Sequence, residues 1–287
     1  MAGHGKVRKR PALFRALGRD DPPETVTVDG ETFGLNTLLK HDSWAATAIY
    51  EARSGEKIIC KFNRMQSILG IPMGWLGRRL AAREAAFLRR LDDIDLVPPD
   101  RGPVHADGRL LANAAARTFI PGAPFKRADQ VDRTFFETLE NLLAAVHERD
   151  MAYVDLHKRE NIIVDLSGRP HLIDFQVSVA LPNKWPGNGR LGRWFLTRLQ
   201  EMDRYHYRKH YVRCLGGEMT PEEAEDFIAA PALIRIHRRL SVPLRRLRRR
   251  LLVALGIRGK GGMAHTELEP EDAFRTPASD EAAGKRS

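Results

Sequence analysis

Cysteine is almost absent from this chain: Cys60 and Cys214 are the only two among 287 residues. They lie far apart and form no metal-ligand spacing, which excludes a disulfide framework and leaves two reduced, inert thiols as the expectation. No uninterrupted apolar stretch approaches the roughly 20 residues that cross a bilayer as a helix. The start of the chain is basic, but its apolar piece at 12–18 is too short and too charged for a secretory signal. A cytoplasmic protein is the expectation, and no internal repeat is visible. Acid is the scarcer charge: 47 Lys and Arg against 37 Asp and Glu leave a net charge of +10, with a pI near 9.9. That surplus suits an anionic partner such as a membrane face, RNA or a phosphorylated substrate. Hydrophobic residues make up 43%, enough for a chain of this length to bury a substantial core.

What is present is concentrated in residues 153–176. Asp155 precedes Asn161, and an apolar run (Ile162, Ile163, Val164) follows it. A turn spans 165–170, and a second apolar run ends in Asp174. A hairpin brings its two ends together, so oxygens on Asn161 and Asp174 can converge despite their separation in sequence. One is a neutral amide oxygen and the other a carboxylate, both suited to a hard cation such as Mg²⁺. Asp155 stands where it can orient a hydroxyl and accept its proton. Any one of the three alone reads as an ordinary loop residue. Together, in this order, they read as a site for phosphoryl transfer.

Upstream, residues 57–63 alternate as a strand, with Ile59, Lys61 and Asn63 on one face. Residues 78–91 follow a helical period with Leu80, Glu84, Phe87, Leu88 and Leu91 on one side. Glu84 is the only acid there and lies on the apolar stripe. A carboxylate in that position requires a cation. Lys61 is the candidate, with a neighbouring arginine as the alternative. A second helix is predicted from an Asp132 cap through Phe135, Phe136, Leu139, Leu142, Leu143 and Val146. Between the two helices, 116–124 reads as an extended linker broken by Pro121, Gly122 and Pro124, whose backbone can hydrogen-bond a purine.

The order Lys61, Glu84, Phe119, Ile120, Asp155, Asn161, Asp174 resembles the protein-kinase-like superfamily, over roughly residues 35–215. Within it the chain is most similar to the bacterial lipopolysaccharide kinases, the Kdo and heptose kinases. The resemblance implies an α/β (α+β), two-lobed fold. A small antiparallel-sheet N-lobe is expected at 20–115, a hinge at 116–122 and a mainly helical C-lobe at 123–256. A basic segment, 1–19, precedes them, and a tail of disordered composition, 257–287, follows. ATP and Mg²⁺ are the implied cofactors. Lys61, Ile59, Ser43, Thr47, Phe119 and Ile120 would surround the nucleotide, Asn161 and Asp174 the metal, with Asp155, Lys61 and Glu84 as the catalytic set.

Four features depart from the family pattern. Five residues rather than four separate Asp155 from Asn161, which leaves open whether His157 or Lys158 approaches the transferred phosphate. Tyr153 and Val154 replace the usual His-Arg pair, so no arginine is placed to receive an activation-segment phosphate. Gln176 replaces the glycine expected after Asp174 and Phe175. The turn at 42–47, expected to cover the phosphates, holds no glycine, leaving Ser43, Thr47 and backbone N–H groups for that task.

No Ala-Pro-Glu-like segment follows Asp174, which argues against a peptide acceptor. Instead, 181–199 is basic and carries Trp185, Trp194 and Phe195, and 203–211 is rich in aromatics and cations. At 241–255, Leu244, Leu247, Leu251 and Leu255 share a helical face, with Arg245, Arg246, Arg248, Arg249 and Arg250 on the others. Such a helix suits an anionic membrane interface, or packs in the C-lobe with its arginines in water. The resemblance implies ATP and a glycolipid acceptor, an inner-core sugar of lipopolysaccharide, as partners, and the basic helix adds the inner face of an anionic membrane as an expectation. Nucleic acid is an alternative partner, because aromatics interleaved with arginine also stack on bases. Alternatives are a protein Ser/Thr or small-molecule kinase, an RNA-associated atypical kinase, and an ATP-binding pseudokinase without turnover.

Overall fold

The computed structural model describes residues 11–228 apart from 69, 127–130 and 183–186. The basic helix expected at 241–255, the tail at 257–287 and Trp185 lie outside the described residues. The first lobe is a seven-stranded antiparallel sheet in the order β6-β5-β1-β2-β3-β4-β7. Its strands are β1 (Thr25–Val28), β2 (Glu31–His41), β3 (Ala45–Ala52), β4 (Lys57–Asn63), β5 (Val104–Ala106), β6 (Arg109–Leu110) and β7 (Ala114–Thr118). A bridge between Asp100 and Arg117 and contacts between β5 and β7 draw the two far edges together, so the sheet curls. Alternation decides its interior: Val26, Val28, Phe33, Tyr50, Ile58, Cys60 and Phe62 share one buried cluster. Burial there pushes the Cys60 thiol up to about 12, in keeping with an inert role.

Helix α1 (Gly74–Arg90) follows β4 and buries Ala81, Glu84, Phe87 and Leu88. Gly77 permits its close crossing, because a Cβ at that position would meet the Arg64 carbonyl oxygen at 2.2 Å. The expected linker is shorter than 116–122. Ala116 and Arg117 belong to β7, opposite Cys60 and Ile59, and only 119–121 separate β7 from the next strand. The difference arises because Ala114, Ala115 and Ala116 pair fully with β4, which extends the sheet up to Thr118.

The second lobe contains a three-stranded sheet of β8 (Gly122–Pro124), β10 (Ile162–Asp165) and β11 (Pro170–Leu172), with β10 in the middle. Helix α2 (Arg133–Glu148) is capped as expected: the Asp132 carboxylate accepts from Phe135 N at 2.8 Å. Strands β9 (Met151–Ala152) and β12 (Val179–Ala180) pair with each other, and α3 (Arg190–Leu215) and α4 (Pro221–Phe227) complete the described chain. The lobe's core gathers Phe136, Leu139, Leu143, Tyr153 and Phe175 and also takes in Phe87 and Leu88 from α1 and Leu91 just after it. Helix α1 thus packs on both lobes. A curled antiparallel sheet with one long helix, a short link and a mainly helical second lobe with a central hairpin make the α/β, two-lobed, protein-kinase-like fold. No described helix is long and apolar enough to cross a membrane.

Candidate active site

The hairpin expected downstream of Asp155 is β10–β11, with Ile162 opposite Leu172. Its base is closed by Ile173 N donating to the Asn161 carbonyl at 3.0 Å, and the Tyr153 hydroxyl lies beneath it, donating to the Ile173 carbonyl. Asn161 and Asp174 are therefore neighbours. Asp174 holds a left-handed backbone (φ 64°), an uncommon conformation for a non-glycine residue.

The extra residue between Asp155 and Asn161 is absorbed by two tight turns. Lys158 N donates to the Asp155 carbonyl and Asn161 N to the Lys158 carbonyl, each at 3.2 Å, the second within a 3-10 turn over Arg159–Asn161. The turns fold this segment around the Asp155 carboxylate. Lys158 Nζ lies 2.7 Å and Asn161 Nδ2 2.9 Å from Asp155 Oδ2, and His157 Nδ1 lies 3.3 Å from Oδ1. Both His157 and Lys158 thus contact Asp155. The Asn161 amide nitrogen is committed to Asp155, so its carbonyl oxygen is the atom left for a cation.

Across the lobes, Lys61 Nζ lies 2.8 Å from Asp174 Oδ1 and 3.5 Å from Glu84 Oε2. Burial works against the Lys61 ammonium, but Asp174 and Glu84 together outweigh it and raise its pKa. Burial raises the Glu84 pKa despite Lys61. Burial also acts upward on Asp174, yet the charge and hydrogen bond of Lys61 prevail and hold its carboxyl below the ordinary value. Arg117, opposite Ile59 on β7, adds a second cation whose charge acts on both acids.

Ile59 and Phe119 meet in an apolar cluster with Leu39 and Ile49. Alternation along β2 and β3 could have nominated the last two. Thr47 is paired with Lys61 across β3–β4 and shares its face. Ser43 is engaged elsewhere: its hydroxyl donates to the Phe14 carbonyl at 3.3 Å, and its own carbonyl accepts from Arg64 at 2.5 Å. The turn at 42–47 is thereby tied to the segment before β1. Ile120 lies in the short link and is half-buried.

Sequence reasoning missed Asp203, on α3. It is fully buried and accepts from Tyr153 N and Val154 N, each at 2.7 Å, with His147 Nε2 at 3.1 Å. Val154 takes a left-handed backbone (φ 71°), which costs a β-branched residue about 1–3 kcal/mol. Asp203 holds that conformation and so aims Asp155. In the sequence Asp203 is only one acid ahead of the cations and aromatics of 204–211, and nothing there marks it as buried.

The donor set fits Mg²⁺, which takes one or two protein oxygens and completes its shell with water and phosphate. The Asp174 carboxylate and the Asn161 side-chain oxygen, Oδ1, are such donors. Among the described residues no group of three His, Cys, Asp or Glu side chains is placed to hold a metal by itself.

No family model matches the chain, and no curated protein matches it. Solved structures similar to it include a Rio2 kinase–ADP/Mg²⁺–phosphoaspartate complex from Chaetomium thermophilum, 14% identical, covering 70% of this chain and 61% of that one, with a TM-score of 0.44. A second structure of Rio2 kinase from the same organism is 16% identical over 66% of this chain, with a TM-score of 0.43; in both comparisons the chain spans 61% of the other chain's length.

Proposed function

We propose that this protein is a phosphotransferase that moves the γ-phosphoryl group of ATP to a hydroxyl. The observation that carries this reading is the meeting of Lys61, Glu84 and Asp174 between the lobes, beside a hairpin that places Asn161 and Asp155 next to them. Asp155 orients the acceptor hydroxyl and takes its proton as the new O–P bond forms and the bond to the ADP oxygen breaks. Lys61, fixed by Glu84, holds the nucleotide phosphates. Lys158, already on Asp155 and close enough to influence Asp174, is the cation that meets the transferred group. Leu39, Ile49, Ile59 and Phe119 provide the apolar surface for adenine. Asn161 and Asp174 would hold Mg²⁺, which neutralises phosphate oxygens when bound.

The acceptor we favour is a sugar hydroxyl of a membrane glycolipid, of the lipopolysaccharide inner-core class. Support for it comes from the sequence resemblance and from the first turns of α3. There Leu191, Trp194 and Phe195 are exposed and flanked by Arg190, Arg193 and Arg198, with the Arg198 guanidinium 5.8 Å from the Trp194 ring. Aromatic and aliphatic side chains set among arginines suit an anionic lipid interface. The test is to offer γ-labelled ATP and Mg²⁺ with separate glycolipid, RNA and cytosolic protein fractions. Label in the glycolipid alone is expected; label confined to protein or RNA would refute the glycolipid assignment while leaving the phosphotransferase.

A further inference from the structure

Gln176 stands where the family resemblance puts a glycine, and its side chain bridges the lobes. Its Nε2 donates to Asn63 Oδ1 at 2.5 Å, across 113 positions of sequence. Asn63 ends β4, on the same strand face as Lys61, and is fully buried. Its orientation is fixed independently of Gln176. Asn63 Nδ2 donates to the Asn113 carbonyl at 3.3 Å, and Asn113 Nδ2 donates to the Asn63 carbonyl at 3.0 Å. The nitrogen must face the Asn113 carbonyl, so the oxygen faces Gln176. A second strap runs in parallel: Arg83, next to Glu84 on α1, donates to the Ser178 carbonyl. The buried Ser178 hydroxyl in turn donates to the Tyr153 carbonyl at 3.0 Å.

We propose that the Asn63–Gln176 bond is a built-in clasp that holds the Asp174 segment against the Lys61 strand. It takes over the positioning that activation-segment phosphorylation provides elsewhere, and it sets the Mg²⁺ dependence of nucleotide binding. This rests on the nucleotide-site reading above. The physical reason is the asymmetry of buried hydrogen bonds: swinging Gln176 away leaves Asn63 Oδ1 buried and unpaired. The acid segment therefore stays inward without a modification. Gln176 is a positioning residue that acts through Asp174.

Hydrogen exchange, nucleotide titration and a double-mutant comparison on the full chain test it. Hydrogen exchange of the free protein should show faster exchange across 174–178 in Gln176→Leu and Gln176→Gly than in wild type. Titration of Mg²⁺ at fixed ATP should show half-saturation of nucleotide binding moved upward by about threefold to tenfold in both variants, the size of one lost hydrogen bond. Nucleotide binding in EDTA should be unchanged. Adding Asn63→Ala to Gln176→Ala should cost no more than Asn63→Ala alone, since both remove the same bond. Wild-type exchange and Mg²⁺ dependence in the Gln176 variants would overturn the clasp. Should the wild type bind no nucleotide while the variants still exchange faster, the nucleotide-site reading fails and the mechanical bridge survives without its proposed consequence.

Discussion

Asp203 shows how a single side chain fixes another, Asp155, that it does not touch. A bare carboxylate at full burial costs several kcal/mol; two backbone N–H groups and His147 offset that cost. Asp203→Ala leaves those donors buried without an acceptor, and we expect a loss of about 3 kcal/mol or more in stability by chemical denaturation. Asp203→Asn keeps one acceptor, so it should lose less stability while still misplacing Asp155. Equal stability of Asp203→Ala and wild type would contradict this. Lys61→Met tests the other buried charges. It strands Glu84 and Asp174 near each other, and Mg²⁺-dependent ATP affinity should fall at least tenfold with the fold retained, read by nucleotide titration and circular dichroism. The Lys61–Glu84 contact was legible in the sequence because one acid on an apolar stripe demands a cation, and the strand alternation offered one. Asp203 was not legible. Its partners are backbone amides about fifty positions away, and nothing in a run of arginines and tyrosines says which helix face turns inward.

At the scale of elements, the segment from Asp155 to Asn161 is held by what lies beneath it. His210 on α3 donates from Nε2 to the Leu156 carbonyl at 2.8 Å. Burial pushes its imidazole down to about 4, against the pull of that hydrogen bond, with Arg159, Arg213 and Lys209 adding repulsion. In the unfolded chain the same ring titrates near 6.5, so between those values the unfolded state binds the extra proton. Stability should therefore be level above neutral pH and fall as pH drops, by about 2 kcal/mol near pH 5. The melting temperature against pH measures it, and His210→Gln should flatten the curve; an unchanged slope would remove His210 from this role. Helices α1 and α2 and strand β4 were readable, from period and for α2 also from its Asp132 cap, because each buries one stripe; α3 was not, because its cations and aromatics show no such stripe. The hinge was not, because Ala116 and Arg117 carry no sign of the β4 pairing that makes them strand. The five-residue spacing after Asp155 looked like an irregularity in one dimension, and the 3-10 turn resolves it.

Across the whole molecule, two lobes meet over a cluster of charges, with α1 packed on both. The fold class was readable because the motifs occur in a fixed order; the inter-lobe bond from Gln176 was not, since only the folded chain brings Asn63 to it. The arginine-flanked aromatic patch on α3 belongs to this scale as well. Trp194→Ser with Phe195→Ser should weaken binding to anionic vesicles by about tenfold, and raised salt should weaken the wild type further. Unaltered vesicle binding would remove the patch from membrane contact. The phosphotransferase reading itself stands or falls on one paired measurement: Mg²⁺-dependent release of the γ-phosphoryl group from ATP to acceptor or water, and Mg²⁺-dependent ATP binding, for wild type and Asp155→Ala. Transfer by the wild type alone, with both proteins binding ATP, is expected. Equal transfer by both would take Asp155 out of the chemistry, and binding without transfer in either, across all acceptor fractions, would make this a nucleotide-binding protein rather than an enzyme.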